Sequence, residues 1–562
     1  MSNEFRSRLL ALTAAALITS ACSDEPTGPP DNPTINPPTG VTVTAVSSVA
    51  ARVSFSAVSG ATGYVVERAP GASGGTFTQV GTPTAPPFDD TGLTPLNVYR
   101  YRVITVSGTR RSDASSEVSL TMPDKPLVVI NQDITTNTTW SASNRYRLSG
   151  FIHVQNGATL TIEAGTVIEG DYDVVGSSLF VLRGARIVAN GTANAPIVFT
   201  SSRPVGQRRA GDWGGLILIG NGIINRGDPV ILEGTGTGAN NPAVNYAGGT
   251  NNADNSGTLR YVRVEFAGYA TAPDAELNTF TFAAVGSGTT LEYLQAMHGL
   301  DDSFEWFGGA VDGKYLVSYN SGDDHFDMSE GYVGRLQFVI AYQNVQVIPR
   351  PQAGNIASDP QGIENDGCAG ANCNAGQTSL PYTIPVVANF TIVGPPDGVM
   401  TQGSGNVGMM LRRGTGGHYV NGIVARYARA AISLRDQPTL DRIAAGDLTL
   451  KNLLLAQNGV TFQAPSGTTV QGTVDVAANA IEAVGATTAS LFTAFPTGAP
   501  ANAAAFDWTP SATSAARTGG LTTFTGQLAT KAGTFITGTS YRGAADPNGA
   551  KWWQGWTNYA EQ

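Results

Sequence analysis

Two stretches of the sequence place carboxylates at a fixed repeat: Asp301-Asp302-Ser303-Phe304-Glu305 and, 22 residues on, Asp323-Asp324-His325-Phe326-Asp327. If the two phenylalanines point into a core, strand alternation sends Asp301, Ser303 and Glu305 outward on one turn of chain and Asp323, His325 and Asp327 outward on the next. Stacked strands lie about 4.8 Å apart, so Asp301 would face Asp323 and Glu305 would face Asp327. At an effective dielectric near 20, two carboxylates at that spacing repel by roughly 3 kcal/mol. A bound Ca²⁺, a shared proton or a salt bridge to His325 would each offset the repulsion. Asp301, Glu305, Asp323 and Asp327 are therefore the candidate calcium ligands. The plainer expectation is that the aspartates cap turns through their own backbone NH groups while their carboxylates diverge into water.

The same four carboxylates are the candidate catalytic groups if the protein is an enzyme, because a separation of about 5 Å suits acid/base or nucleophilic work on a glycosidic bond. Polygalacturonase-like β-helix enzymes use closely spaced aspartates in this way. Their Asn-Thr-Asp and Gly-His-Gly elements have no counterpart here, and Gly416-Gly417-His418 comes nearest. A pectate-lyase-like elimination would want calcium and a basic residue above the same groove, for which Arg412 and Arg413 qualify by type; the plainer expectation is solvated charge at a strand edge. Tyr293 and Tyr315, with Met297 beside Tyr319, form an aromatic strip suited to stacking on sugar rings or to packing beneath a long inserted loop such as 349–381. The four histidines, His153, His298, His325 and His418, show no ligand spacing. Neither a glycine-rich phosphate loop nor a Gly-x-Ser-x-Gly elbow is present. Cys368 and Cys373 sit in a Gly/Asn-rich loop and read as a local disulfide; a two-thiolate metal site would need two further ligands nearby.

For the carboxylates to meet, successive turns of chain must stack in register. Self-comparison supports this: at the same offset Tyr293-Leu294 aligns with Tyr315-Leu316, Gly309 with Gly331 and Val311 with Val333, and one more step takes Leu316 to Phe338. Earlier, Val154 to Leu160 recurs as Val181 to Ile187 at an offset of 27. A turn of about this length, carrying two or three short strands, is what one rung of a parallel β-helix requires, and each rung buries its apolar face only against its neighbours. Three of the seven tryptophans close the chain, Trp552, Trp553 and Trp556. They read as an aromatic plug over the solenoid's open end, or as a sugar-stacking platform.

Ahead of the repeats, 38–123 alternates in short strands, and Gly63-Tyr64-Val65-Val66-Glu67-Arg68, Leu93-Thr94-Pro95 and Tyr99 resemble the third strand and tyrosine corner of a fibronectin type III module, with Phe55 in place of the usual tryptophan. The start of the chain resembles a bacterial lipoprotein leader: Arg6 and Arg8, an apolar run from Leu9 to Ile18, then Thr19-Ser20-Ala21-Cys22, with Cys22 the lipidation site. The later order of Gly157-Ala158-Thr159-Leu160, Trp213-Gly214-Gly215-Leu216, Asp301-Asp302-Ser303-Phe304-Glu305-Trp306 and Gly322-Asp323-Asp324-His325-Phe326-Asp327 is similar to a family of bacterial exported β-helix lipoproteins. That resemblance implies fold and location, not an activity.

With 562 residues, 68 of them glycine, 14% charged and a net charge of -10, the chain is neither a small single core nor a phosphate-tracking nucleic-acid binder. The expectation is an all-β protein: a signal peptide over 1–21, a lipidated proline-rich tether over 22–37, a β-sandwich over 38–123, a right-handed parallel β-helix over 126–467 and a C-terminal cap over 468–562. It is expected to be exported and lipid-anchored at the outer membrane or surface of a Gram-negative bacterium. The expected partners are the membrane and a polysaccharide or surface protein, and the expected role is binding or structural; the alternative is a polysaccharide lyase or glycoside hydrolase.

Overall fold

A computed structural model describes residues 34–560 except 358–359, 369, 400–405, 468 and 497–504. The expected leader over 1–21, the expected lipidation site Cys22 and the expected tether up to residue 33 lie outside the described residues. The chain divides into two compact units between Asp124 and Lys125. No helix among the described residues is long and apolar enough to cross a membrane.

The first unit pairs two antiparallel sheets. One holds Thr42–Ser47, Ala50–Ser54 and Phe88–Thr91; the other is built on Gly63–Pro70 and Val98–Ser107. Alternating residues of both meet in a core of Val53, Phe55, Tyr64, Val66, Tyr101 and Val103. Phe55 fills the plug position edge-on to Tyr64, with ring centroids 4.7 Å apart. The Tyr99 hydroxyl accepts from the Thr94 NH at 3.0 Å, closing the corner that Leu93-Thr94-Pro95 announces.

The second unit is a parallel β-helix. Nine strands, among them Phe280–Ala283, Phe304–Phe307, Phe326–Ser329 and Gln361–Asp366, stack into one parallel sheet. The remaining rungs belong to a second ladder whose long strands bend into two faces. The bend has a local cause: Tyr261, Tyr293, Tyr315, Phe338 and Asn389 each take a left-handed backbone, with φ between 48° and 62°. On either side of Tyr293, Thr290 to Glu292 and Leu294 to Met297 pair with separate halves of the next strand. A left-handed conformation costs a bulky residue about 1–2 kcal/mol. Ring stacking offsets it, with centroids 4.3 Å apart for Tyr261–Tyr293, 4.5 Å for Tyr293–Tyr315 and 5.3 Å for Tyr315–Phe338.

Register follows the repeats. Leu294 pairs with Leu316, Phe304 with Phe326, Val154 with Val181 and Leu160 with Ile187. One step differs: Leu316 pairs with Val339, because Phe338 occupies the bend and stacks on Tyr315 instead. Inside, Phe280, Phe304 and Phe326 stack at 4.9 and 5.4 Å and are fully buried. Rungs approach so closely that a Cβ on Gly257, at φ 117°, would fall 1.9 Å from the Ile187 carbonyl oxygen.

The C-terminal tryptophans do not plug the solenoid's end. Helix Gln437–Ala445, bridges from Ile432 to Phe462 and Arg435 to Gln471, and strand Glu482–Val484 lie against the last turns. The segment beyond returns along the flank. Thr537 NH donates to Gln337, Asn389 to Thr539, Asn558 NH to Gln295, and Arg263 to the Trp556 carbonyl. The tryptophans are drawn to the flank because the bend ladder presents a strip of half-buried rings there that needs cover.

Candidate functional site

Strand alternation in the nine-stranded sheet sets the site. Phe304, Trp306, Phe326, Met328, Ile363 and Asn365 are buried inward-facing or interior positions, which puts Glu305, Asp327 and Glu364 on the opposite face. Glu305 is in register with Asp327, and Asp327 with Glu364. Three consecutive rungs therefore carry a carboxylate at one position.

The corner just before each strand adds a pair of aspartates, and the members of each pair differ. Asp302 and Asp324 are buried and act as acceptors for the following rung: Asp302 accepts from the Asp324 NH at 2.8 Å, and Asp324 from the Gln361 NH. Asp301 and Asp323 are half-buried and line a cleft of about 780 Å³, together with Asp302, Glu305 and Asp327. Inserted segments supply the cleft's other walls, with Glu233, Tyr269, Asp274, Glu276 and residues 352–357. The capping expectation therefore fails for the second aspartate of each pair: its carboxylate is buried and accepts from the next rung, not from its own turn, and does not diverge into water.

Among the described residues lining the cleft there is no lysine, arginine or histidine. Burial first, and then the charge of neighbouring carboxylates, pushes Asp301, Asp302, Glu305, Asp324 and Asp327 well above the usual carboxylate range. Glu233, solvent-exposed on the cleft wall, is pushed up to about 7, first by the protein crowded around its carboxyl and then by the charges of Glu276 and Asp323. Three sets of carboxylates each bring one oxygen apiece within 4.8 Å of one another: Asp301, Asp302 and Asp323; Asp302, Glu305 and Asp327; Asp324, Asp327 and Glu364. Oxygens bound to one Ca²⁺ at about 2.4 Å are separated by at most about 4.8 Å, so each set fits within one coordination sphere. Asp327 Oδ1 is buried and, among the described residues, without a hydrogen-bond partner.

Other expected participants lie elsewhere. His325 is buried, its Nδ1 is 2.5 Å from Ser318 Oγ, and burial pushes its pKa down to about 3, so it is no counter-ion for the carboxylates. Ser303 is likewise buried, against Ser321. Both sit in the corner ahead of the paired strand, where alternation does not apply. Arg412 bonds to Glu364 and Asp366, and Arg413 to Asp366. These ion pairs occupy the arginines that a lyase would need as a base, and the carboxylates raise the Arg412 pKa further, after the opposing effect of burial. His418 is buried on the other ladder beside Thr449, away from the acidic face.

The aromatic strip is also covered. Tyr319 is fully buried beneath Tyr559 and Phe506 and cannot stack on a ligand. Tyr293 and Tyr315 stack on each other at the bend, with Trp556 edge-on to Tyr293 and Trp552 tilted against Tyr315. The cover is the C-terminal segment rather than the loop 349–381. Cys368 and Cys373 form a disulfide, which excludes the thiolate metal site.

Sequence reasoning missed Glu233, Asp274 and Glu276, which no repeat announces, and Glu364. The last is separated from Asp327 by an inserted loop; its signal is the inward Ile363 beside it, which repeats the alternation of Phe326 and Asp327.

Residues 132–509 match the family described as a pectate-lyase like beta helix domain. No curated protein matches the chain. Among solved structures, an Fn3-like protein from Clostridium thermocellum is 31% identical over 16% of this chain and 97% of that one, with a TM-score of 0.15. Domains A168–A170 of titin are 22% identical over 16% of this chain and 33% of that one, with a TM-score of 0.15. Domains FN1–FN3 of chicken CNTN1 are 21% identical over the same shares, also with a TM-score of 0.15.

Proposed function

The chain belongs to the family of pectate-lyase-like β-helix domains, a membership that suggests a carbohydrate-related role, and from that premise we propose that it binds cell-surface glycans through its acidic cleft with the help of calcium. The observation that carries this reading is the carboxylate ladder inside a cleft whose described lining offers no cationic side chain. Asp301, Asp302, Glu305, Asp323 and Asp327 would hold the ion. Calcium would supply positive charge and open coordination positions to which sugar hydroxyl or carboxylate oxygens bind. The Tyr269 ring at the cleft wall offers an apolar surface for a sugar face. The leader-like start of the sequence, Arg6 and Arg8 ahead of the apolar run from Leu9 to Ile18 and then Cys22, supports a proposed location at the outer membrane or surface of a Gram-negative bacterium, with acyl chains on Cys22 as the anchor.

A second reading, glycoside hydrolysis, is favoured by one observation. Glu305 and Asp327 face each other, and burial raises both carboxyls toward the protonated form, which suits one of them to the part of a general acid. One experiment separates the two. The purified protein is incubated with a polysaccharide panel, with and without chelator, beside Asp323→Ala. Retention that needs calcium, fails in the variant and yields no product supports binding; release of oligosaccharide by the parent and not by Asp323→Ala replaces it with hydrolysis. Retention indifferent to both chelator and substitution defeats the cleft as the site.

A further inference from the structure

A second cavity, distinct from the acidic cleft, has the opposite character. Its volume is about 270 Å³, and it is lined by Arg208, Arg209, His298, Val345, Val347 and Ile348 among others. Two inserted loops form its walls. They are clasped where Ala210 bridges Pro349 and the Arg350 NH donates to the Ala210 carbonyl at 2.8 Å. The second loop is anchored by Asn320, whose side-chain oxygen accepts from the NH groups of Asn344 at 2.7 Å and Val345 at 3.2 Å. The pocket is therefore held by backbone and ladder contacts.

His298 belongs to the rung below. Its NH donates to the Tyr319 carbonyl at 3.0 Å, and its ring stacks on Phe266 and meets the edge of Tyr319. The residue is only 6% exposed, and among the described residues its Nε2 has no partner. Leaving a buried polar atom unpaired costs about 1–3 kcal/mol, which a ligand in contact with the ring can recover. Burial pushes its pKa down to about 4, so the imidazole is neutral and positive charge comes only from the arginines.

The arginines are not equivalent. Arg208 donates to Thr200 and lies 3.9 Å from Glu265, whose charge Arg263 also opposes. The Arg209 side chain donates to the Arg208 carbonyl, and among the described residues it has no carboxylate within ion-pair distance. In a protein with a net charge of -10, this is a cation left beside an apolar wall of Val345, Val347 and the 63% exposed Ile348.

We propose that this pocket binds a small amphiphilic carboxylate, its charge on the Arg209 guanidinium and its short apolar body against Val345, Val347 and Ile348. The volume sets the size: at about 30 Å³ per water, it holds roughly nine water-sized atoms, which a carboxylate with a body of about six carbons fills. Guanidinium matches a carboxylate through paired NH donors, and the hydrocarbon replaces loosely held water. The site is independent of the cleft and of calcium.

Sodium hexanoate is the probe, with hexanol and hexylamine as controls, in saturation-transfer NMR and calorimetry on the full protein in the presence of chelator. Hexanoate should bind and be about tenfold or more tighter than hexanol, with hexylamine not detected. Arg209→Gln should weaken hexanoate about tenfold while leaving hexanol unchanged. Ile348→Glu, at an exposed position where folding is not at stake, should abolish hexanoate binding by placing like charge at the mouth. Absence of hexanoate binding by the parent, or equal binding by the parent and both variants, overturns the proposal.

Discussion

Asp327 stands between two carboxylates, Glu305 on one rung and Glu364 on the next. Removing its charge while keeping its shape, as in Asp327→Asn, therefore has an effect whose sign depends on calcium. Each fully charged facing pair at the rung spacing costs about 3 kcal/mol at an effective dielectric near 20. Partial protonation and the arginine on Glu364 reduce the relief to about 1–2 kcal/mol. In chelator at neutral pH, Asp327→Asn should unfold roughly 1–2 °C above the parent, the shift expected for a unit as long as 125–562. In millimolar calcium the order should reverse, because an ion present at a hundredfold excess over its Kd adds about 2.7 kcal/mol to the parent. The variant lacks a ligand common to two of the three carboxylate sets. The pH dependence carries the same sign. A carboxyl whose folded pKa is raised favours the folded state fully below its ordinary value, about 4, and loses that contribution as pH climbs through the raised one, which for Glu233 is about 7. The buried histidines, with depressed pKa values, lose stability only as pH falls below about 6.5, so the window above it isolates the carboxyls. There the parent's melting temperature should fall with pH in chelator and flatten in calcium, as differential scanning calorimetry reads directly. A lower transition for Asp327→Asn in chelator as well would refute the reasoning, since the carboxylate would then be a fixed acceptor rather than a repelled charge.

Two further substitutions probe the surroundings. Arg412→Gln strips the guanidinium from Glu364 and Asp366, both buried, and should cost about 3 kcal/mol in chelator with partial recovery in calcium, measured by the same calorimetry; no calcium rescue would mean that the Glu364 end of the ladder does not take an ion. Trp556→Ala removes a fully buried ring from the Tyr261 and Tyr293 bend and should cost about 3–5 kcal/mol, loosening the segment 505–560 toward limited proteolysis; unchanged cleavage would show that the tryptophan does not hold the segment on the flank.

The solenoid was legible because stacking forces repetition. A residue whose side chain touches its own counterpart one rung away must resemble it, so Phe304 and Phe326 or Leu160 and Ile187 betray the fold through their spacing. The carboxylate ladder was legible for the same reason. What escaped has no such constraint. Glu233, Asp274 and Glu276 come from insertions, whose path is set by contacts rather than period. His325 and Ser303 were assigned to the outer face by a rule that holds only inside a strand. The tyrosines were legible as a strip, either open to sugar or covered by the loop 349–381, but their actual cover was not, because it is remote: Gln295 and Asn558 are bonded across 263 residues of chain.

The two ends of the ladder show why repetition alone does not explain the cleft. A repeat that multiplies carboxylates multiplies their repulsion, and a fold tolerates that only where each rung finds positive charge or protons. At Glu364 and Asp366 the next rung supplies the charge itself, through Arg412 and Arg413. At Glu305 and Asp327 the described lining of the cleft brings further carboxylates instead, from Glu233, Asp274 and Glu276 on the inserted walls. An inserted segment can neutralise a carboxylate, as Arg226 does for the buried Glu330 just past the end of the strand Phe326–Ser329. The walls of the cleft add carboxylates instead, so that without a cation the facing groups repel or hold protons, and it is on this arrangement that the proposed calcium binding rests.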